Sequence, residues 1–118
     1  MRPYPKKIKR LLREYMIEAY ERELHRELTK LDQSFAEWRN GVISSGELSH
    51  RVHEYNSGPS RQLYKHYNYG DNDMNVAYAI VAGILDKDGM PTELLEAIEG
   101  QIKFLQSMKD RDELREPG

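Results

Sequence analysis

From Lys6 to Arg39 the chain runs without Gly or Pro, and apolar residues recur at Ile8, Leu12, Tyr15 and Ala19, then at Leu24, Leu28, Leu31, Phe35 and Trp38. Steps of three and four put each series on one helical face. The stripe shifts between Ala19 and Leu24, with Ile17 and Tyr20 bridging the gap. The spacing predicts one long amphipathic helix, curved or bent at Asp32 and Ser34, whose side chains can compete for backbone donors. Asn40-Gly41 supplies a stop that tolerates left-handed backbone. Ser44 or Ser45 then caps a short helix ending near Tyr55, which buries Leu48 and Val52. Asn56-Ser57-Gly58-Pro59 reads as a turn, and Pro59 opens a second short helix ending near Tyr67. A further turn spans Tyr69 to Asp73, with Asp73 as the cap of the next helix.

That next segment, Met74 to Leu85, carries no charge in a chain of which 32% is charged. A helix that is apolar all round must be covered on every side. Twelve residues span about 18 Å, short of the roughly 30 Å of a bilayer core, so the cover is protein rather than lipid. Residues 74–85 are therefore expected to form a buried central helix, with Ala77, Ala79, Ala82 and Gly83 allowing close backbone approach. Asp86-Lys87-Asp88-Gly89 closes it, and Pro91 opens a last helix striped by Leu95, Ile98, Ile102 and Leu105. The predicted fold is all-α, with about five helices: two long amphipathic helices and two short ones packed around 74–85. One domain over residues 1–118 is expected, with short flexible ends at 1–5 and from about 114 to 118.

Composition narrows the chemistry. The chain has no cysteine, which excludes a disulfide framework, thiol catalysis and thiolate metal sites. Its basic start runs into Leu11, Leu12, Arg13 and Glu14 without the apolar core of a secretory signal, and a soluble, cytoplasmic protein is expected. Net charge is only −2, yet it is unevenly placed. Arg2, Lys6, Lys7, Lys9, Arg10 and Arg13 stand at the start with no acid among them. Asp86, Asp88, Glu93, Glu96 and Glu99 face Lys87 alone later on.

Candidate sites are few. Gly41 to Leu48 resembles the second half of an EF-hand loop, but the positions that should supply its first ligands are Ala36, Trp38 and Asn40. Glu47-x-x-His50 has the spacing of carboxylate-bridged di-iron bundles, though no second such pair occurs. His53 and Glu54 could join His50 on an ion, which sketches a small metal-dependent enzyme around Glu47, His50 and His53. The serines sit at turns and caps, with no nucleophile elbow and no glycine-rich phosphate loop. No catalytic constellation, native metal or cofactor is expected.

Two surface features remain. Lys6, Lys7, Lys9, Arg10 and Arg13 place cations at a helix start, where they oppose the helix dipole, a small cost that suggests use. Arg61, Tyr64, Lys65, Tyr67 and Tyr69 join cations to tyrosines, the composition of interface hot spots and base-stacking surfaces. The leading expectation is a non-enzymatic interaction or regulatory module whose partner is another protein or a second copy, as a homodimer. The alternative is a nucleic-acid-associated regulator using both groups, against which the pI near 6.1 stands.

Overall fold

A computed structural model describes residues 4–117. The fold is all-α, with no strand among the described residues. Helix α1 is unbroken from Lys6–Arg39, so neither Asp32 nor Ser34 interrupts it. It ends as its sequence implies. Gly41 takes a positive φ of 75°, the Val42 N–H reaches the Glu37 carbonyl at 2.8 Å, and the Gly41 N–H reaches Trp38 at 3.1 Å. This is the Schellman pattern that closes a helix through one left-handed residue.

Helix α2, Ser45–Tyr55, starts at Ser44, whose hydroxyl accepts from the Glu47 N–H at 3.0 Å. The expected turn at Asn56-Ser57-Gly58-Pro59 does not form. A wide π-helical turn over Asn56–Ser60 carries the backbone straight into α3, Arg61–Tyr69. Proline lacks an N–H and normally breaks an α-helix. The widened turn absorbs Pro59 without reversing the chain. Helical backbone therefore continues from Ser45 to Tyr69 and runs antiparallel to α1. Near its start, the Trp38 indole N–H donates to Ser45 Oγ at 3.0 Å. Arg51 donates to Glu37 Oε2 at 2.7 Å and to Ser34 Oγ at 3.1 Å. Further on, Tyr67 meets Tyr20 with ring centroids 5.2 Å apart.

Helix α4, Asn72–Val81, is the buried centre, packed against α1 and α6. Val76, Ala77 and Ala79 have no exposed surface, and neither has Ala19 on α1. The expected helix over 74–85 is too long at its C-terminal end. Gly83 adopts φ 81° and the Ile84 N–H bonds the Ala79 carbonyl at 2.8 Å, so the helix stops before Asp86 is reached. Gly83 is thus a helix terminator rather than a close-approach residue. Ile84 and Leu85 stay buried in the turn beyond it. At the other end the helix cap is Asp71, not Asp73. Asp73 instead accepts from the Tyr4 hydroxyl at 2.8 Å and from Gln101 at 3.0 Å, tying the chain start to the last helix.

The last helix is kinked at Ile98 into α5, Thr92–Ala97, and α6, Glu99–Asp110. The Ile98 N–H still bonds the Leu94 carbonyl at 3.2 Å, and both side chains are fully buried. Counting this kinked pair as one gives the five helices expected. Residues 1–3 and 118 lie outside the described residues, but Tyr4 is anchored and the segment after α6 folds back. Asp112 takes φ 60°, letting the Glu113 N–H close on the Met108 carbonyl at 2.8 Å, and Leu114 packs against the core.

The molecule is long. A 34-residue helix extends about 51 Å, and the longest dimension is 53 Å. The radius of gyration is 17.2 Å, against about 13.5 Å for a compact chain of this length. The first half of α1 joins α3 to α6 in a compact lobe. Its second half and α2 extend beyond that lobe as a two-helix arm.

Candidate functional site

Polar chemistry concentrates where α1, α3 and the C-terminal segment meet. Ile8, Leu12, Ala19 and Glu23 are the buried residues of α1, so a carboxylate occupies the core face, only 3% exposed. A charge in such a place needs partners. The Tyr67 hydroxyl donates to Glu23 Oε2 at 2.5 Å, and Arg115 Nη2 lies 3.8 Å from the same oxygen. Burial, then the Glu23 carboxylate, raises the Tyr67 pKa, so the phenol stays protonated as the donor. The Arg115 guanidinium also sits 4.8 Å over the Tyr78 ring, while the Tyr78 hydroxyl donates to the Arg115 carbonyl at 2.8 Å. Arg115 thereby clasps the C-terminal segment onto α4 and α1.

His66 packs edge-on against both Tyr67 and Tyr78, with centroids 4.6 and 5.0 Å away. Burial lowers its pKa, and the nearby Arg115 charge lowers it further. The imidazole is therefore held in its neutral form. Its Nε2 is buried and has no hydrogen-bond partner. Beside it opens a cleft of about 560 Å³ between Glu23 and Arg26 of α1, Pro59 to His66, and Arg115 with Glu116.

The sequence-predicted residues are distributed differently. Lys6, Lys7, Lys9, Arg10 and Arg13 are all exposed. Lys7 pairs with Glu93, and Arg10 approaches Glu14 at 3.8 Å. The basic start thus meets part of the acidic 86–99 segment within its own chain. Lys9 and Arg13 border a shallow depression that also holds Asp71 and Asp73. The end of α3 therefore comes close to the basic turns, but acids lie between them.

Within the tyrosine-rich segment, Arg61 and Lys65 are exposed, as are Tyr64 and Tyr69 at 51% and 75%. The last two rings meet edge to face at 6.1 Å. Tyr67 is different, being 1% exposed. It is a core ring holding Glu23 and belongs to no contact surface. Glu47 pairs with Arg51 at 3.1 Å, and His50 with Glu54 at 3.2 Å, so Glu47 and His50 are each engaged elsewhere. Among the described residues, no group of three or more His, Asp or Glu side chains is gathered to hold a metal ion.

Sequence reasoning missed Glu23, His66, Tyr78 and Arg115. Glu23 could have been found, because it lies four residues after Ala19 and so continues the buried face of α1. Arg115 carried no such signal, since it lies beyond the last periodic residue.

The outward face of α1, from the lobe into the arm, shows the reverse chemistry. Ile17, Leu24, Leu28, Leu31 and Phe35 succeed one another by seven, four, three and four residues and share one face of α1. Ile17 and Leu28 are 52% and 47% exposed on it. At the tip, Trp38 and Val42 are 40% and 69% exposed.

Comparison with protein-family models, with curated proteins and with solved structures finds no match to this chain. Among the described residues, no helix is long and apolar enough to cross a membrane.

Proposed function

We propose that this chain is a non-enzymatic interaction module that pairs with a second copy of itself along α1. The observation that carries this reading is the half-exposed pair Ile17 and Leu28, eleven residues apart on one face of the longest helix. Exposed apolar side chains recurring along one helix face are a mark of interfaces. The seven-four-three-four spacing is what a helix needs to seat side chains between those of a second helix. The elongated shape supports the same reading, since the second half of α1 extends beyond the lobe with Leu28 exposed. A nucleic-acid role is less well supported, because Lys7 and Arg10 face Glu93 and Glu14 within the chain. A cytoplasmic setting is part of the proposal, and the cysteine-free composition is compatible with it.

Light scattering at micromolar concentration tests it directly. The wild-type chain should give a particle of twice 13.9 kDa, and Ile17→Glu with Leu28→Glu should give single chains of unchanged helicity. A wild-type protein that stays at the single-chain mass at high concentration would overturn self-pairing. Pull-down of a different protein by wild type but not by the double variant would keep the face as an interface with another partner.

A further inference from the structure

We infer that the second copy lies antiparallel and arm to arm, with Glu18 and His25 of each chain facing Arg39 and Asp32 of the other. The inference rests on the self-pairing proposed above and fixes its direction and register. Beside the apolar stripe of α1 runs a row spaced by sevens: Glu18, His25, Asp32 and Arg39. Seven residues are nearly two full turns, so the row keeps to one flank of the stripe. All four residues are exposed. The opposite flank is taken by α2, where Arg51 reaches Ser34 and Glu37. Among the described residues, the side chains of His25, Asp32 and Arg39 make no hydrogen bond or ion pair. Glu18 holds only its neighbour Arg22, at 2.8 Å.

Reversed, the row complements itself. A two-fold axis between His25 and Asp32 sets Glu18 against the partner's Arg39, and His25 against the partner's Asp32. An imidazole can donate to a carboxylate in either protonation state. Sliding one copy by a seven-residue step sets Asp32 against Glu18 or against its own counterpart, acid on acid. The same register serves the stripe. Leu28 falls opposite the partner's Leu31, and Leu24 opposite the partner's Phe35. Ile17 comes to the partner's arm tip, where Trp38 and Val42 are 40% and 69% exposed. The overlap of residues 18–39 is about 30 Å long and leaves the two lobes at opposite ends. A parallel partner fails on this face. Arg10 precedes Ile17 by seven, and Glu14 and Glu21 precede Leu28 by steps of seven. Each would then meet its own counterpart, like charge on like.

The chain has no cysteine, so introduced single cysteines report the direction. Glu18→Cys and Arg39→Cys are purified separately, mixed, and treated with a short bismaleimide. Only the mixture should yield linked chains, because each site lies about 30 Å along α1 from its own counterpart. Self-linked chains in either variant alone, or no linkage in the mixture, would overturn the antiparallel register while light scattering still reports pairing. A single-chain mass for wild type would overturn the self-pairing beneath it as well. Charge gives an independent measure. Arg39→Glu should weaken pairing about tenfold, since two exposed ion pairs become repulsions. Glu18→Arg combined with Arg39→Glu should restore it. Undiminished pairing by Arg39→Glu, or no recovery in the double variant, would overturn the register.

Discussion

The lobe and the arm share two helical columns, α1 and the run from Ser45 to Tyr69, but solve burial in opposite ways. In the lobe, α4 is enclosed so fully that Val76, Ala77 and Ala79 show no surface, and even a carboxylate, Glu23, is taken inside and given partners. In the arm, Arg51 ties α2 to α1 through Glu37 and Ser34, while Leu28, Trp38 and Val42 face outward. One helix, α1, serves both regions. Packing in the lobe fixes the fold, and the arm carries the surface that the fold leaves unfilled. Buried packing and exposed apolar surface are thereby divided along a single helix, and the proposed pairing would use the second without disturbing the first.

The sharpest way to break this division is charge. Val76→Asp places an uncompensated carboxylate where no water reaches, and should cost more than about 3 kcal/mol and with it the fold. Val42→Asp, at the exposed arm tip, should stay within about 0.5 kcal/mol. Urea unfolding tracked by circular dichroism would show both. Similar midpoints for the two variants would mean that the lobe is not the stabilising part.

Next in size is the Glu23 network. Tyr67→Phe keeps the ring and removes only the hydroxyl, leaving a buried carboxylate with a looser partner. A loss of about 1.5–3 kcal/mol is expected, the range for a hydrogen bond to a charged group. Tyr67→Phe combined with Glu23→Leu should recover part of that loss, because an apolar pair leaves nothing unsatisfied. A double variant less stable than either single one would contradict this account.

Smaller effects separate the regions by where they are felt. Gly41 and Gly83 both hold left-handed backbone, and alanine at either should cost about 1–2 kcal/mol locally. Gly83 lies inside the lobe, so Gly83→Ala should lower global stability. Gly41→Ala, at the arm tip, should chiefly speed amide exchange in the last turn of α1 and the first of α2. Uniform loss of protection in both variants would show that lobe and arm unfold together.

The smallest expected effect is on pH dependence. The His66 pKa is lowered in the folded chain, so the unfolded chain binds more protons as pH falls. The stability that His66 contributes is full above its ordinary value near 6.5 and is lost as pH falls through the lower folded value. His66→Gln should flatten the melting-temperature profile in that window. A wild-type profile already flat from pH 7 to pH 5 would remove the basis for a buried neutral imidazole.

Much of this architecture is legible in the residues. The unbroken spacing of Lys6–Arg39, the Asn40-Gly41 stop, the Ser44 cap and the charge-free run around Val76 are local signals, and each corresponds to the observed element. What was not legible depends on distant partners. Ile84 and Leu85 are apolar because they are buried, not because they are helical, so the run of 74–85 overstates the helix. Gly58-Pro59 carries the signature of a turn, and only packing of the whole column along α1 favours a wide helical turn instead. Glu23 continues the buried face of α1 from Ala19, but the partner that lets a carboxylate lie there, Tyr67, comes 44 residues later. Arg115 sits in a stretch whose composition predicts fraying. Its clasp depends on Tyr78, which sequence alone cannot place beside it.

The wide turn at Asn56–Ser60 has a consequence best stated as phase. Each residue of an α-helix rotates the chain by about 100°, so one residue more or fewer between α2 and α3 turns every later side chain by more than a quarter revolution. Arg51 is locked to α1 before the turn and Tyr67 after it. The π segment is therefore a gear between two fixed meshes, letting both halves of the column engage α1 at once. A single-residue deletion there would leave the arm meshed and swing Tyr67 away from Glu23. An element with no buried residue of its own thus sets the alignment on which the buried carboxylate depends.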